Sequence, residues 1–152
     1  MKNFYQPVLF VMLTLMAASA ALEVEAAGPT KDLCSLFTTK EIQELLGAPV
    51  GAGKVAGPLG TACQWDGSSD TDATYAQIQV IEDTSYWSKP SLAEGYKALS
   101  GIGKEAFVVP EMGGWSAQAL TDTAINAVAV NGGTATSDTA VKLLRLLLER
   151  RQ

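Results

Sequence analysis

An α+β domain is the fold class this sequence predicts: an antiparallel sheet of about five strands, a short N-terminal helix and a C-terminal amphipathic helix packed on it, and one disulfide. Three observations predict it. The segment CSLFTTKEIQELLGAPV (34–50) holds both a helix start and a helix stop. The stretch from residue 60 to 131 breaks into short, partly alternating runs separated by Gly, Pro, Asn and Asp. The segment 137–150 repeats apolar residues at helical spacing.

The N-terminus carries Lys2, an apolar run over residues 8–18 and then small residues, which is the pattern of a secretory signal peptide. Two Ala-x-Ala-like cleavage points are present, after Ala20 and after Ala26; the second is preferred and divides the chain into a signal at 1–26 and a domain at 27–152. The apolar run is shorter than the roughly 20 residues a spanning helix needs, so no stable membrane anchor is expected after cleavage. No lipobox precedes Cys34, whose flank is Thr30-Lys31-Asp32-Leu33.

About 125 residues after Ala26 make one domain. The full chain has 11 Lys and Arg and 16 Asp and Glu, so removing Lys2, Glu23 and Glu25 leaves a net charge of −4. Nucleic acid is not an expected partner for that balance, because phosphates need clustered cations. The one basic cluster, Arg145, Arg150 and Arg151, falls where cations complement the dipole of a C-terminal helix.

In the opening segment, Thr38 three residues before Glu41 forms a capping box, and Phe37 and Ile42 occupy the hydrophobic-staple positions. Ile42, Leu45 and Leu46 give one apolar face, Gly47 ends the helix and Pro49 forbids its continuation, so a helix is predicted over 39–46. Cys34 precedes this helix, and Cys63 is the other cysteine of the chain. In an exported protein two cysteines form one disulfide, and closing a loop of roughly 29 residues stabilises the fold by about 3.5 kcal/mol in the chain-entropy treatment. A metal or redox pair is disfavoured, because the chain has no histidine and no Cys-x-x-Cys.

Strands are predicted over 60–66 and 74–81, joined by the turn cluster GSSDT (67–71) as a hairpin. A loop bearing Tyr86, Trp87 and Pro90 follows, and then a short helix over 91–99 on Leu92, Tyr96 and Leu99. Three further strands are predicted at 105–109, 115–121 and 124–131, with Pro110, the Gly113-Gly114 pair and Thr121-Asp122 marking the turns. The last helix, 137–150, has Ala140, Val141, Leu144, Leu147 and Leu148 on one face, widened by Leu143 and Leu146. A stripe that broad lies across a sheet. Trp65, two residues from Cys63 on the same strand face, is expected in the core beside the disulfide.

The order of short helix, "CQW" strand, "GIGKEAFVV" and closing helix resembles a domain-of-unknown-function family of bacterial cell-envelope proteins whose best-known members are actinobacterial lipoproteins. Cys34, Gly47, Cys63, Trp65, Gly103, Glu105 and Ala106 carry the resemblance, which runs from Leu33 to Arg150. It implies an envelope location. This chain departs in having no lipobox, so lipid anchoring is not carried over, and the resemblance implies no catalytic residue.

Catalysis is poorly provided for. Without histidine the commonest general base and the usual triads are missing. "GIGK" lacks the frame of a phosphate-binding loop, and its glycines are expected to turn the chain into a strand. The acidic pairs Glu82-Asp83 and Asp70-Asp72 suit acid/base or calcium chemistry, but their turn-like surroundings favour solvated loops. No catalytic residue, metal ligand or cofactor is therefore assigned.

Tyr86, Trp87 and Trp115 are the candidate binding residues, since aromatic side chains that periodicity does not explain are favoured interface anchors. A loop aromatic covering a core edge is the competing reading. The sequence thus predicts a secreted or periplasmic, non-catalytic module that binds a protein partner. The second reading is a carrier of a small apolar ligand held between helix and sheet, and the third a hydrolase-type enzyme.

Overall fold

The structure, a computed structural model, describes residues 32–58, 61–68 and 73–152. The expected signal peptide, Gly60, the tip of the 67–71 turn and the Asp70-Asp72 pair lie outside the described residues.

The first turn is a 3-10 helix, Leu33–Leu36, capped by Asp32, whose carboxylate accepts from the Cys34 amide at 3.0 Å. It leads into α1 (Thr39–Leu46). The capping box forms as expected: the Glu41 amide donates to the Thr38 hydroxyl at 3.3 Å, and the Thr38 amide donates to the Glu41 carboxylate at 2.8 Å. Gly47 closes the helix at φ 64°, and the Leu46 carbonyl is taken up by the Thr134 amide at 2.9 Å. The chain approaches so closely there that a β-carbon on Gly133 would lie 2.4 Å from that carbonyl oxygen.

Among the described residues seven strands follow: β1 (Lys54–Ala56), β2 (Ala62–Asp66), β3 (Tyr75–Ile81), β4 (Lys97–Leu99), β5 (Glu105–Glu111), β6 (Gly114–Leu120) and β7 (Ile125–Asn131). They form one antiparallel sheet in the order β1-β2-β3-β7-β6-β5-β4. The chain ends on α2 (Ser137–Arg150).

The α+β class, the two helices and the disulfide are as the sequence predicts; the strand count is seven rather than five. The additions, β1 and β4, are three-residue edge strands, too short for alternation to reveal them. Residues 91–99 form no helix. Gly95 sits at φ 75° against Pro110, Leu92 is 100% exposed, and the segment ends in β4. Pro110 does not mark a turn but continues β5 opposite Trp115, because β4 reaches only to Val108 and leaves the missing amide without a partner to lose. The turn itself is Met112-Gly113, with φ 47° and 83°, the left-handed geometry of a type I′ hairpin.

One face of the sheet is buried under the helices. Ile78, Val128, Ala117 and Val108 form a cross-strand row beneath α2, flanked by Ala106 and Ala119. Small residues there let the helix lie close, and Ala140, Leu143, Leu144 and Leu147 pack fully buried against them. A fully buried leucine contributes about 2–3 kcal/mol in apolar area removed from water. The N-terminal 3-10 turn covers the β1–β2 end, where the Cys34–Cys63 disulfide, at a sequence separation of 29, fastens it. Trp65 is buried beside the disulfide, and the Phe37 ring meets it edge-on at 6.3 Å.

Arg150 ties the two helices together. Its guanidinium bonds the Glu41 carboxylate at 2.7 Å, donates to the Leu36 carbonyl and lies 4.3 Å over the Phe37 ring. That guanidinium, with the Thr38 amide and hydroxyl, holds the Glu41 carboxyl down at about 2. Two of the three basic residues at this end, Arg150 and Arg151, thus have specific partners rather than only the helix dipole.

Two predictions follow from this end of the molecule. A Cys34→Ala/Cys63→Ala protein should unfold in denaturant with about 3 kcal/mol less stability than the parent, from the released loop entropy. Since the Glu41 pKa is lowered on folding, its contribution is present above the unfolded value and disappears as pH falls from about 4.5 towards 2. With the side chain 40% exposed, solvent screening leaves about 1 kcal/mol at neutral pH, so Glu41→Gln should cost that much at pH 7 and almost nothing near pH 2. Urea midpoints across the range test it.

Candidate functional site

The face of the sheet away from the helices is open, and its side chains are polar at the centre. Residues in register give two rows: Gln79, Ala127, Gln118 and Phe107 in one, and Gln77, Ala129, Ser116 and Val109 in the other. Strand alternation places them there, because Ile78, Val80, Val128 and Ala117 between them point into the core. The two alanines of β7, set between longer side chains, leave a trough of about 170 Å³ running past Gln77, Gln79, Ser116 and Gln118 to Glu111. Among the described residues, the carboxamides of Gln77, Gln79 and Gln118 make no hydrogen bond to another protein group.

The connection 82–96 walls this trough on the β5 side. It must carry the chain from β3, inside the sheet, to β4 at the far edge, and it does so over the open face. Asp83 starts it, accepting from the Ser85 amide at 2.9 Å to cap the 3-10 turn Thr84–Tyr86; bonds to Ser85 lower the Asp83 pKa. Trp87 then tilts against Phe107 at 5.5 Å and donates its indole N–H to Glu105 at 2.9 Å. Lys89 bonds the same carboxylate at 2.8 Å, so Lys89 first and Trp87 second hold the Glu105 pKa below its usual range. Tyr96 covers the other flank of Phe107 at 5.6 Å. Between loop and sheet lies a cleft of about 400 Å³ with Pro90, Ala93, Phe107 and Val109 on its walls. It shares Glu111, Ser116 and Gln118 with the trough as lining residues.

The wider face carries Lys54, Asp66 and Glu105, but among the described residues lining the trough the one charge is at its end. Glu111 stands there, and the Tyr75 hydroxyl is raised above its usual pKa by burial and then by that carboxylate. No hydrogen bond joins Ser116 to Glu111, and no cluster of three or more Cys, Asp or Glu suited to a metal occurs among the described residues.

The structure separates the three aromatic residues singled out in the sequence. Tyr86 is 72% exposed on the loop, whereas Trp87 is half-buried and serves to hold that loop on Phe107. Trp115 lies on the opposite face, opposite Val130 and packed against the core, so it shares no surface with the other two. Glu82 and Asp83 begin the loop, and Asp83 acts there as a cap.

The glutamines were the residues a sequence reading passes over. Their signal is present: Gln77 and Gln79 alternate with Ala76, Ile78 and Val80, so both must face away from the core. What the sequence does not contain is the register that puts Gln118 across from Gln79 with Ala127 between. Among the described residues no helix is long and apolar enough to cross a membrane. Comparison with family models, curated proteins and solved structures finds no match for this chain.

Because Trp87 clamps the loop, Trp87→Ala should lower stability by about 2 kcal/mol and speed amide exchange across 84–96. Tyr86→Ala, which removes an exposed ring, should change stability by less than about 0.5 kcal/mol. Chemical denaturation with exchange mass spectrometry separates the two.

Proposed function

We propose that this protein is a secreted, non-catalytic binding module of the cell envelope or an extracellular assembly, and that it receives a polypeptide segment on the open face of its sheet. The observation that carries the reading is the trough of carboxamides without a partner among the described residues, beside the loop-walled apolar cleft. Carboxamides donate and accept equally, which suits the alternating N–H and C=O groups of a peptide backbone. The cleft beside them offers exposed Pro90, Ala93 and Pro110 to an apolar side chain, over buried Phe107 and Val109.

Two further features support a macromolecular partner. Leu92 and Tyr86 project from the loop at 100% and 72% exposure, and neither lines the trough or the cleft. Glu111, the one charge among the described residues lining the trough, favours a neutral or basic segment. The disulfide and the N-terminal sequence pattern support an extracytoplasmic setting. A binding rather than catalytic role is supported by Ser116, which has no base hydrogen-bonded to it among the described residues, in a chain without histidine. The recess at the end of the helix–sheet interface is lined mainly by polar groups, so an apolar-ligand carrier has less support.

A photoreactive residue placed at Gln118 tests the proposal in cells exporting the protein, with one at exposed Lys142 as the reference. The expected result is a polypeptide adduct at 118 and none at 142. Ala127→Trp, which fills the trough from a partly exposed position, should cut its yield about tenfold. Equal adducts at both positions, or an adduct at 118 indifferent to Ala127→Trp, would overturn the reading.

A further inference from the structure

On the helix-covered side of the sheet, the row Val80, Asn126, Ala119, Ala106 is apolar but for one member. Asn126 is fully buried, at 0% exposure. Its Oδ1 accepts from the Arg151 guanidinium, just past the end of α2. A guanidinium only donates, so this contact fixes which way the carboxamide points and leaves Nδ2, with its two hydrogens, as the remaining group. Among the described residues that nitrogen has no hydrogen-bond partner. A buried donor left without an acceptor is costly, and native proteins retain one where something else supplies the acceptor.

Asn126 lines a recess of about 290 Å³ bounded by Gly103, Thr121, Thr123, Leu148 and Arg151. The recess does not supply the acceptor from its own turn: the Thr121 hydroxyl donates to the Ala124 carbonyl at 2.9 Å and accepts the Ala124 amide at 3.1 Å. Arg151 is half-buried, and desolvation lowers its pKa despite the opposing field of Glu82. The recess therefore joins a neutral N–H donor to a partly desolvated cation through the shared Oδ1.

We propose that this recess is a carboxylate-binding site, with one oxygen of the ligand accepting from Asn126 Nδ2 and the other from the Arg151 guanidinium. A planar monoanion suits paired donors anchored on one atom. A phosphate dianion suits them less well, because Arg151 is the only cation among the described residues lining the recess, Glu82 opposes a second negative charge, and the carbonyl end of α2 points the same way. The volume admits a small free carboxylate or the C-terminal residue of a peptide. The site is on the other side of the sheet from the trough and stands independently of the reading given above.

The test is a titration of the ¹⁵N-labelled, disulfide-intact protein at constant ionic strength, following the Asn126 side-chain amide and the Arg151 Nε–H signals. Sodium acetate and propionate should produce saturating shifts of both groups that sodium chloride does not. Arg151→Gln should weaken binding about tenfold or more with the backbone spectrum preserved. Asn126→Leu, which keeps the heavy-atom count and branching but removes the donor, should do the same; if it does not fold, Arg151→Gln alone decides. An alanine tetrapeptide with a free C-terminus that binds tighter than propionate, and than its amidated form, identifies a peptide terminus as the ligand. Equal affinity identifies a small carboxylate. Shifts that are linear and identical in acetate and chloride, or saturation unchanged in Arg151→Gln, would overturn the site and leave the Asn126 amide to a buried water.

Discussion

The structure depends on one constraint: a single layer of helix must bury one face of a seven-stranded sheet, and strand alternation then determines what the other face carries. Every residue that α2 needs beneath it, Ile78, Val128, Ala117 and Val108 among them, sends its strand neighbours to the opposite side. Since α2 lies chiefly on β5, β6 and β7, the N-terminal turn and α1 complete the cover towards β2. No second helical layer covers the other side among the described residues. That side is free to carry polar groups at its centre, and it carries glutamines.

Strand order converts the free face into a shaped one. Because β7 inserts between β3 and β6, the chain leaving β3 must pass three strands to reach β4 at the edge, a distance of about 19 Å at ordinary strand spacing. A segment crossing the open face needs its own anchor. Trp87, Lys89 and Tyr96 supply it on Glu105 and Phe107, with Gly95 allowing close approach to Pro110. The result is a wall along one side of a floor kept low by Ala127 and Ala129. Neither the wall nor the floor suffices for a trough alone, so the site is a product of topology and composition together.

That division explains what was legible in the sequence. Features written in neighbouring residues were: the Thr38–Glu41 cap, the Gly47 stop, the two helices, five of the strands and the cysteine pair, each decided by chemistry within a few positions or by the count of two cysteines. Features that need a distant partner were not. Residues 97–99 become a strand because β5 offers an edge there, against the helical spacing of Leu92, Tyr96 and Leu99. Trp87 and Trp115 look alike as isolated aromatics, yet register sends them to opposite faces. Asn126, in a run of Ile125, Ala127 and Val128, gives no hint that Arg151 will meet it.

The same logic accounts for the resemblance positions. Gly47 ends α1 where Thr134 caps it; Cys63 and Trp65 meet Cys34 and Phe37; Gly103 approaches so closely that a β-carbon would lie 2.4 Å from the Leu120 carbonyl oxygen. Glu105 anchors the loop and Ala106 makes room on the helix side. All of them build the scaffold, and none lines the trough. The recess touches the set only at Gly103, whose role there is close packing, while its polar donors are Asn126 and Arg151. A scaffold of this kind sets the helix layer, the crossing loop and the open face, while the side chains of that face stay free to vary without cost to the core. In the binding role proposed for that face, specificity would reside in positions such as 77, 79 and 118, which point away from α2.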